Sequence, residues 1–268
     1  MNGLTLLKVG GAELQEGPAL DQLVDALVPM ASTQGLVVVH GGGPEIAGLQ
    51  KRLGLEPCFV EGLRVTDEES LWVAEMVLSG AVNKRLIGRL VARGVRAIGL
   101  SGVDAGLLRA CKMMHPAGDL GRVGEITHVD VTCLQQLLDC GFVPVISPIS
   151  LGADGRAFNV NADHAALAIA RALGVAEMIY LTDVPGVMLQ GAVLPSLNAD
   201  EALRLIAEEH ITGGMIPKVR SALDAIEQGI GAARITNLEG LAAGSGTRVH
   251  NGTAPGAATT HTIEEKTR

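Results

Sequence analysis

The 268-residue sequence lacks several features that would assign it to a class at once. No apolar run reaches the ~18 residues that a membrane-spanning helix needs, and the N-terminus lacks the basic, apolar and cleavage regions of a signal peptide. Basic residues number 21 against 29 acidic ones, for a formal net charge of −8, which argues against nucleic acid or an anionic membrane as the main partner. These absences predict a soluble cytoplasmic protein, without excluding an anionic substrate bound by local lysines and glycine-lined turns.

Two common nucleotide-binding fingerprints are also missing. There is no G-x-x-x-x-G-K-[ST] loop, and the glycines at 41–43 do not complete G-x-G-x-x-G because Ile46 occupies the final position. A dehydrogenase is therefore weakly supported.

The four cysteines lack the spacing of metal ligands. They are Cys58, Cys111, Cys133 and Cys140. We expect reduced thiols.

The sequence instead contains several short apolar runs that end in glycine. Hydrophobic residues make up 47% of the chain, enough for a sizeable core. Three runs lead into glycine turns, at Leu4–Gly11, Gly35–Pro44 and Val95–Gly106, and helical patterns follow the first two. Val143–Ser147 is a fourth apolar run. Repeated β-α-β units predict an α/β fold with a mainly parallel sheet.

Other segments depart from this repeat. Glu56–Asp67 is predicted to be a hairpin or loop that carries Arg64, with Thr66 or Asp67 capping the next helix. A helical region from Glu68 to Arg93 is interrupted near Gly80, and Leu107–Val129 has the alternation of antiparallel hairpins. Residues 250–268 have the composition of a disordered tail.

Lys8 is unusual because it ends an otherwise apolar strand. An ammonium there must reach water or find an anion. Gly10 and Gly11 follow, and we expect their backbone amides to lie at the N-terminus of the next helix, where phosphate binds well. The alternative is an ordinary turn with a lysine that extends to solvent.

Further polar residues interrupt apolar segments, namely Arg64, Asn159, Asn161, Asp163 and Lys218. Phosphoryl transfer needs cations and N–H donors around a spreading negative charge. Two lysines could balance phosphates, with a carboxylate such as Asp163 keeping them apart, and Arg64 could clamp a carboxylate. Each residue also allows a structural interpretation: Asp163 as a helix cap, the asparagines as turn residues, and Arg64 on a solvated loop.

Six motifs, in this order and with fitting spacing, resemble those of the acetylglutamate kinase family in the amino acid kinase superfamily. They are Leu7–Gly11, His40–Pro44, Gly62–Asp67, Asn159–Asp163, Leu181–Gly186 and Gly213–Lys218. The resemblance implies a three-layer αβα sandwich with a central, mainly parallel sheet. It also implies an N-terminal lobe (1–157) for amino-acid binding and dimerisation, and a C-terminal lobe (158–249) for ATP.

The resemblance implies transfer of a phosphoryl group from ATP to the γ-carboxylate of N-acetyl-L-glutamate, in arginine biosynthesis. Lys8 would stabilise the group in transfer and Lys218 the leaving β-phosphate side, while Asp163 would organise both lysines. Since the nucleophile is the substrate's own ionised carboxylate, no protein base is needed. Mg²⁺ would arrive with ATP, and no dedicated protein metal site is expected.

Binding roles follow from the same motifs. The residues implied to contact acetylglutamate are Gly42, Gly43, Arg64, Asn159 and Asn161. Those implied to lie along ATP are Gly10, Gly11, Thr182, Asp183, Val184, Pro185, Gly186, Gly213, Gly214 and Met215.

The sequence also departs from the family. Ala105 stands where glycine is usual, and Met188–Pro195 is short for the expected hairpin. The chain begins almost at its first strand, without the N-terminal helix that links dimers in arginine-inhibited members, so we expect a homodimer without that control. Trp72 and Met76 are candidates for the dimer face, or else simply core residues.

Two other functions stay open. The first is a kinase of carrier-protein-linked aminoadipate or glutamate, although the Gly62–Asp67 and Asn159–Asp163 motifs favour acetylglutamate. The second is a non-catalytic sensor of nucleotide or amino acid, against which the presence of Lys8, Asp163 and Lys218 argues.

Overall fold

The described part of the chain, residues 2–252 of a computed structural model, alternates strands and helices along its length. The strands are β1 (Asn2–Val9), β2 (Gln34–His40), β3 (Phe59–Val60), β4 (Leu63–Arg64), β5 (Ala97–Ser101), β6 (Leu108–Lys112), β7 (Gly124–Val129), β8 (Val143–Ser147), β9 (Ile149–Gly152), β10 (Ala157–Asn159), β11 (Glu177–Leu181), β12 (Met188–Leu189), β13 (Ala192–Val193), β14 (Ser196–Asn198), β15 (Ala233–Thr236) and β16 (Thr247–His250). The α-helices are α1 (Pro18–Thr33), α2 (Gly43–Arg52), α3 (Glu68–Glu75), α4 (Asn83–Ala92), α5 (Thr132–Asp139), α6 (Ala162–Leu173), α7 (Ala199–Ala207), α8 (Met215–Glu227) and α9 (Leu238–Ala243).

Eight strands form the central sheet, in the order β14-β16-β15-β11-β1-β2-β8-β5. Neighbouring strands are parallel except for the antiparallel pair β15–β16. Strand β1 is central and pairs with β2 on one side and β11 on the other, so both halves of the chain contribute to one sheet. This confirms the predicted α/β class with a mainly parallel sheet.

Helices cover both faces of the sheet, because successive side chains of a strand point to opposite faces. On β1, Leu6 belongs to one core cluster, which also contains Ala165 of α6. Leu7 belongs to the other cluster, which contains Leu23 of α1. The two buried clusters, one on each face, make the three-layer αβα arrangement that was predicted.

The smaller elements also match the predictions. Strands β6 and β7 form an antiparallel pair within a four-stranded sheet, and β3 and β4 form the short hairpin that ends in Arg64. Asp67 caps α3, since its side chain accepts a hydrogen bond of 2.8 Å from the Ser70 amide. Strands β12 and β13 form the short hairpin within Met188–Pro195.

Three details differ from the expectations. Helix α1 begins at Pro18, well after Gly10 and Gly11, so the prediction that their amides lie at a helix N-terminus is wrong. The interruption near Gly80 is a π-helix, Met76–Val82, which continues the helical path from α3 to α4. Strand β16 extends through His250, so the predicted tail starts too early; residues 253–268 lie outside the described part.

Ala105 has a φ of 52°, in the left-handed region that favours glycine. It lies in a 3-10 turn, Asp104–Gly106, after β5. The Asp104 carboxylate accepts hydrogen bonds from the backbone amide (2.6 Å) and hydroxyl (2.8 Å) of Ser101, which holds this turn in place. The backbone thus keeps the conformation of a glycine position although the residue is alanine. Over residues 2–252, no helix is long and apolar enough to cross a membrane.

Candidate functional site

The first two glycine turns meet at the carboxyl edge of the sheet. The amide of Gly41 donates to the carbonyl of Val9 at 3.0 Å. A Cβ atom on Gly11 would lie 2.8 Å from Pro44 Cδ and 2.9 Å from Gly42 Cα, closer than side chains normally approach. Glycine is therefore required at position 11 by the contact between the turns, which brings the turn after β1 against the N-terminus of α2.

A cavity of about 230 Å³ opens beside this contact. All five residues predicted to bind the amino-acid substrate line it, and so does Asp163. The substrate-binding residues concerned are Gly42, Gly43, Arg64, Asn159 and Asn161. Apolar walls come from Ile46, Phe59, Leu78 and Val160. Because α2 begins at Gly43, its first backbone amides are at this cavity and favour an anion there.

Lys8 forms an ion pair with a carboxylate and is largely shielded from solvent. Its Nζ lies 3.0 Å from Asp163 Oδ1, and only 17% of the lysine side chain is exposed. Asp163 is free for this contact because the cap of α6 is Asn161, whose side chain accepts from the Asp163 amide at 2.8 Å. The interpretation of Asp163 as the helix cap is therefore wrong, and the alternative of a solvent-seeking Lys8 fails as well.

Lys218 has a different carboxylate partner. Its Nζ lies 2.5 Å from Asp183 Oδ1, on the turn after β11, and Thr182 Oγ1 donates to the same oxygen at 2.9 Å. The hydrogen bond from Lys218 is the main cause that lowers the pKa of Asp183 below its usual range. The hydrogen bond from Thr182 lowers this pKa further. The structure thus pairs each lysine with its own aspartate, instead of joining both to Asp163.

Most of the residues predicted to lie along ATP belong to two segments of the described chain, the turn after β11 and the start of α8. Thr182 and Asp183 line a separate hollow of about 290 Å³. Gly213 and Gly214 are exposed just before α8, where Gly214 and Met215 are the cap and the first helical residue. The Lys218–Asp183 ion pair is a contact that links these two segments.

Gly186 has a structural reason to be glycine. Its φ is +152°, and an added Cβ would lie 2.6 Å from Thr247 Oγ1. That hydroxyl accepts from the Val187 amide at 2.8 Å and donates to the Leu194 carbonyl at 2.6 Å. Gly186 therefore allows β16 to pack closely against the turn, whereas Val184 and Pro185 beside it are partly or fully exposed.

Sequence reasoning missed the residues that hold Arg64. Buried Gln50 accepts from Arg64 Nη1 at 2.5 Å, and the guanidinium lies over the Phe59 ring, 4.6 Å from its centroid. Thr66 Oγ1 donates to the Arg64 carbonyl at 2.9 Å and accepts from Asn159 Nδ2 at 3.2 Å. A polar residue four positions after Ile46, on the apolar side of α2, is the sequence signal that could have revealed Gln50.

His40 is a second buried residue that the motif analysis left without a role. Burial lowers its pKa to about 4, so the ring is neutral near pH 7. Its Nδ1 lies 2.9 Å from the Gly41 carbonyl, and its Nε2 lies 3.1 Å from Asn83 Nδ2. With a proton on Nδ1, the ring donates to Gly41 and accepts from Asn83, and so connects the second glycine turn to α4.

The remaining features are less informative. Among residues 2–252, no group of three or more His, Cys, Asp or Glu side chains is placed to hold a metal ion. The four cysteines are free. An open hollow of about 630 Å³ between β7 and α6 contains none of the predicted site residues, and its polar lining includes the exposed His128, His164 and Arg171.

Comparison of the sequence with known proteins identifies relatives that are kinases. The sequence profile of the amino acid kinase family matches residues 3–237. An acetylglutamate kinase from Roseiflexus sp. (strain RS-1) is 54% identical over 239 residues, which are 88% of this chain and 89% of that protein. One from Chloroflexus aurantiacus (strain ATCC 29366 / DSM 635 / J-10-fl) is 49% identical over 254 residues, 94% and 98% of the two chains.

Among solved structures, smu.665 from Streptococcus mutans UA159 superposes with a TM-score of 0.76 at 28% identity, over 93% of this chain and 99% of that one. The chain belongs to the amino acid kinase family.

Proposed function

We propose that this protein phosphorylates the γ-carboxylate of N-acetyl-L-glutamate with ATP, which yields N-acetyl-L-glutamyl 5-phosphate for arginine biosynthesis. The observation that carries the proposal is the cavity where Arg64 and Asn159 face the glycine turn and Asp163, with Lys8 bound to that carboxylate. The acetylglutamate kinases at about 50% identity support the same acceptor.

The acceptor cavity offers a suitable group for each part of the substrate. The Arg64 guanidinium can bind the α-carboxylate in a bidentate manner. Asn159 and Asn161, which line the cavity, would supply amide groups for the acetylated nitrogen, and the backbone amides of Gly42 and Gly43 would serve the reacting end. The γ-carboxylate is ionised near pH 7, so it attacks without a protein base, and catalysis consists of positioning and charge stabilisation.

Two cations serve the phosphates in this proposal. Lys8, beside the acceptor cavity, would stabilise the group in transfer, and Lys218 would stabilise the leaving β-phosphate side. The incoming nucleotide would take Lys218 from Asp183, because a polyphosphate carries more charge than one exposed carboxylate. ATP would lie along Gly10, Gly11, residues 182–186 and residues 213–215, and Mg²⁺ would be carried by its phosphate oxygens.

Residues 158–249 would then bind ATP, and residues 1–157 most of the acceptor, although Asn159, Asn161 and Asp163 extend the acceptor site across that boundary. We further propose a homodimer formed through Trp72 and Met76, and a cytoplasmic location. Trp72 is 59% exposed and Met76 37% exposed, one helical turn apart, so these side chains are not core residues of the single chain.

A hydroxylamine trap for acyl phosphate tests the proposed reaction. The protein is incubated with ATP and Mg²⁺, and with N-acetylglutamate, free glutamate or carrier-linked aminoadipate in turn. We expect hydroxamate from N-acetylglutamate at a kcat/KM at least about a hundredfold above that for the others, because acceptors that leave buried polar groups unpaired are strongly disfavoured.

Each other result has a clear meaning. Product only with carrier-linked aminoadipate would assign the protein to the sister kinase. Nucleotide binding without product from any acceptor would indicate a sensor. Either result would overturn the proposal.

A further inference from the structure

Gln50 is a buried polar residue on α2 that touches the acceptor site without lining its cavity. The residue is 1% exposed, on the side of the helix where Ile46 is also buried. An aliphatic side chain would be usual there, since a buried amide costs free energy unless it is hydrogen-bonded. Both ends of the Gln50 amide are bonded, which removes this cost and connects the residue to two neighbours.

The two hydrogen bonds also determine how the amide is oriented. Its nitrogen donates to Ser70 Oγ at 2.9 Å, and its oxygen accepts from Arg64 Nη1 at 2.5 Å. A reversed amide would place its NH₂ group against the guanidinium, donor against donor. Because Ser70 is on α3 and Gln50 on α2, two helices hold the acceptor for Arg64 in place.

The contacts of Arg64 orient its charge without cancelling it. Besides the Gln50 oxygen, Arg64 Nη2 donates to the Gly43 carbonyl at 3.3 Å, so both acceptors are uncharged. The Phe59 ring restrains the guanidinium plane from one side. A glutamate at position 50 would have formed an ion pair with Arg64 and would compete with any incoming carboxylate.

We propose that Gln50 is a positioning residue for acceptor binding, which holds the Arg64 guanidinium at the cavity with its charge intact for the α-carboxylate. The inference rests on the proposed function, in which Arg64 binds that carboxylate. A guanidinium ordered before the ligand arrives loses less conformational entropy on binding. Gln50 therefore sets the KM for the acceptor and leaves the ATP side of the reaction unchanged.

Two substitutions separate orientation from charge. Gln50→Met keeps the size of the side chain and loses the acceptor, so we expect the KM for the acceptor to rise about tenfold, the equivalent of freeing one long side chain. Gln50→Glu keeps a hydrogen-bond acceptor but forms an ion pair with Arg64, which offsets the positive charge. This variant should raise the KM for the acceptor substrate at least about tenfold as well. The KM for ATP should stay within about twofold in both variants, a split that a general packing defect would not produce.

A double-mutant cycle with Arg64→Ala tests whether Gln50 acts through Arg64. In the Arg64→Ala background, adding Gln50→Met should change kcat/KM for the acceptor by less than about twofold, because the partner is already gone. Gln135→Met, an exposed change of the same kind on α5, is the matched control and should have no effect. If Gln50→Met folds poorly, Ser70→Ala is the second variant, because it removes the hydrogen bond that holds the Gln50 amide. We expect it to raise the KM for the acceptor by a smaller factor.

The inference is overturned if Gln50→Met lowers the thermal midpoint but leaves the acceptor KM unchanged, or if it raises the KM values of ATP and acceptor equally. Full additivity with Arg64→Ala would also overturn it. The cycle uses whichever acceptor the wild-type protein phosphorylates best in the hydroxylamine assay. A wrong acceptor assignment then shows in the wild-type protein, whereas a wrong role for Gln50 shows only in the variants.

Discussion

At the scale of single residues, the site depends on charges that are paired but not deeply buried. Lys8 ends the central strand and bonds to Asp163, whose side chain is 35% exposed. Because Asp163 is partly exposed, this pair could exchange partners, as the proposed binding of phosphate would require. The Lys218–Asp183 pair is also partly exposed to solvent, with the aspartate side chain 80% exposed.

Lys8→Ala should lower kcat by about a thousandfold while the protein stays folded. In the proposed reaction Lys8 faces charge that develops in the transition state, and removing such a group has an effect of this order. The hydroxylamine assay measures kcat, and thermal denaturation checks the fold. Lys51→Ala, an exposed lysine on α2, is the control and should leave kcat unchanged. Near-normal turnover of Lys8→Ala would return Lys8 to a purely structural role.

At the scale of secondary-structure elements, buried polar groups join neighbouring strands and helices through hydrogen bonds. His40, at the end of β2, bonds to Asn83 on α4, and Asn83 Nδ2 also donates to the Val145 carbonyl of β8 at 3.0 Å. The His40–Asn83 pair therefore joins β2, β8 and α4 beside the second glycine turn. The first glycine turn meets the second by close backbone approach instead, at Gly11 and Gly42.

The neutral His40 ring should make stability fall in mild acid. Its pKa is about 4 in the folded protein and about 6.5 when unfolded, so between these values the unfolded chain binds the extra proton. The stabilisation is fully present above about pH 6.5 and is lost as the pH falls toward 4. At pH 5 the loss amounts to about 2 kcal/mol relative to pH 7.5.

Denaturant unfolding of wild type and His40→Asn at several pH values measures this effect. The wild-type protein should lose about 2 kcal/mol more than the variant between pH 7.5 and pH 5, because asparagine does not titrate. His128→Asn, an exposed histidine on β7, serves as the comparison and should follow the wild-type profile. Parallel profiles for wild type and His40→Asn would contradict the prediction.

At the scale of the whole molecule, α3 and the π-helix after it present an exposed apolar face. Trp72 and Met76 lie one turn apart on this face, and the lone tryptophan is 59% exposed. Helix α3 also supplies Ser70 to the Gln50 contact, so a partner on this face would lie close to the acceptor site. The proposed homodimer would therefore cover the helix that supports Arg64.

Trp72→Glu should convert a homodimer to monomers, because an unpaired charge in an apolar interface costs several kcal/mol. Since each 1.4 kcal/mol is a tenfold change in affinity, the dissociation constant should rise at least about a hundredfold. Light scattering over a range of concentrations measures the mass. Leu203→Glu on α7, another exposed apolar residue, is the control. A wild-type monomer at high concentration would refute the homodimer.

Short-range patterns in the amino-acid sequence were enough to predict most of the local structure. Helix α8 spans the predicted Met215–Glu227, β8 spans Val143–Ser147, and the Asp67 cap and the β3–β4 hairpin are where short-range patterns placed them. These features depend on residues within a few positions of one another, through apolar periodicity, capping and turn chemistry. The ordered motifs were also sufficient to indicate the family.

Which side chains meet at the site depends on how distant parts of the chain pack together. The Lys8–Asp163 and Lys218–Asp183 pairs and the Gln50–Arg64 bond join residues from separate elements, and no local pattern encodes such distances. The register of β1 between β2 and β11 places Lys8 beside α6, and the packing of α2 against α3 places Gln50 beneath Arg64. Contacts of this kind arise when whole faces bury their apolar surface together, which is a property of the folded chain and not of any segment.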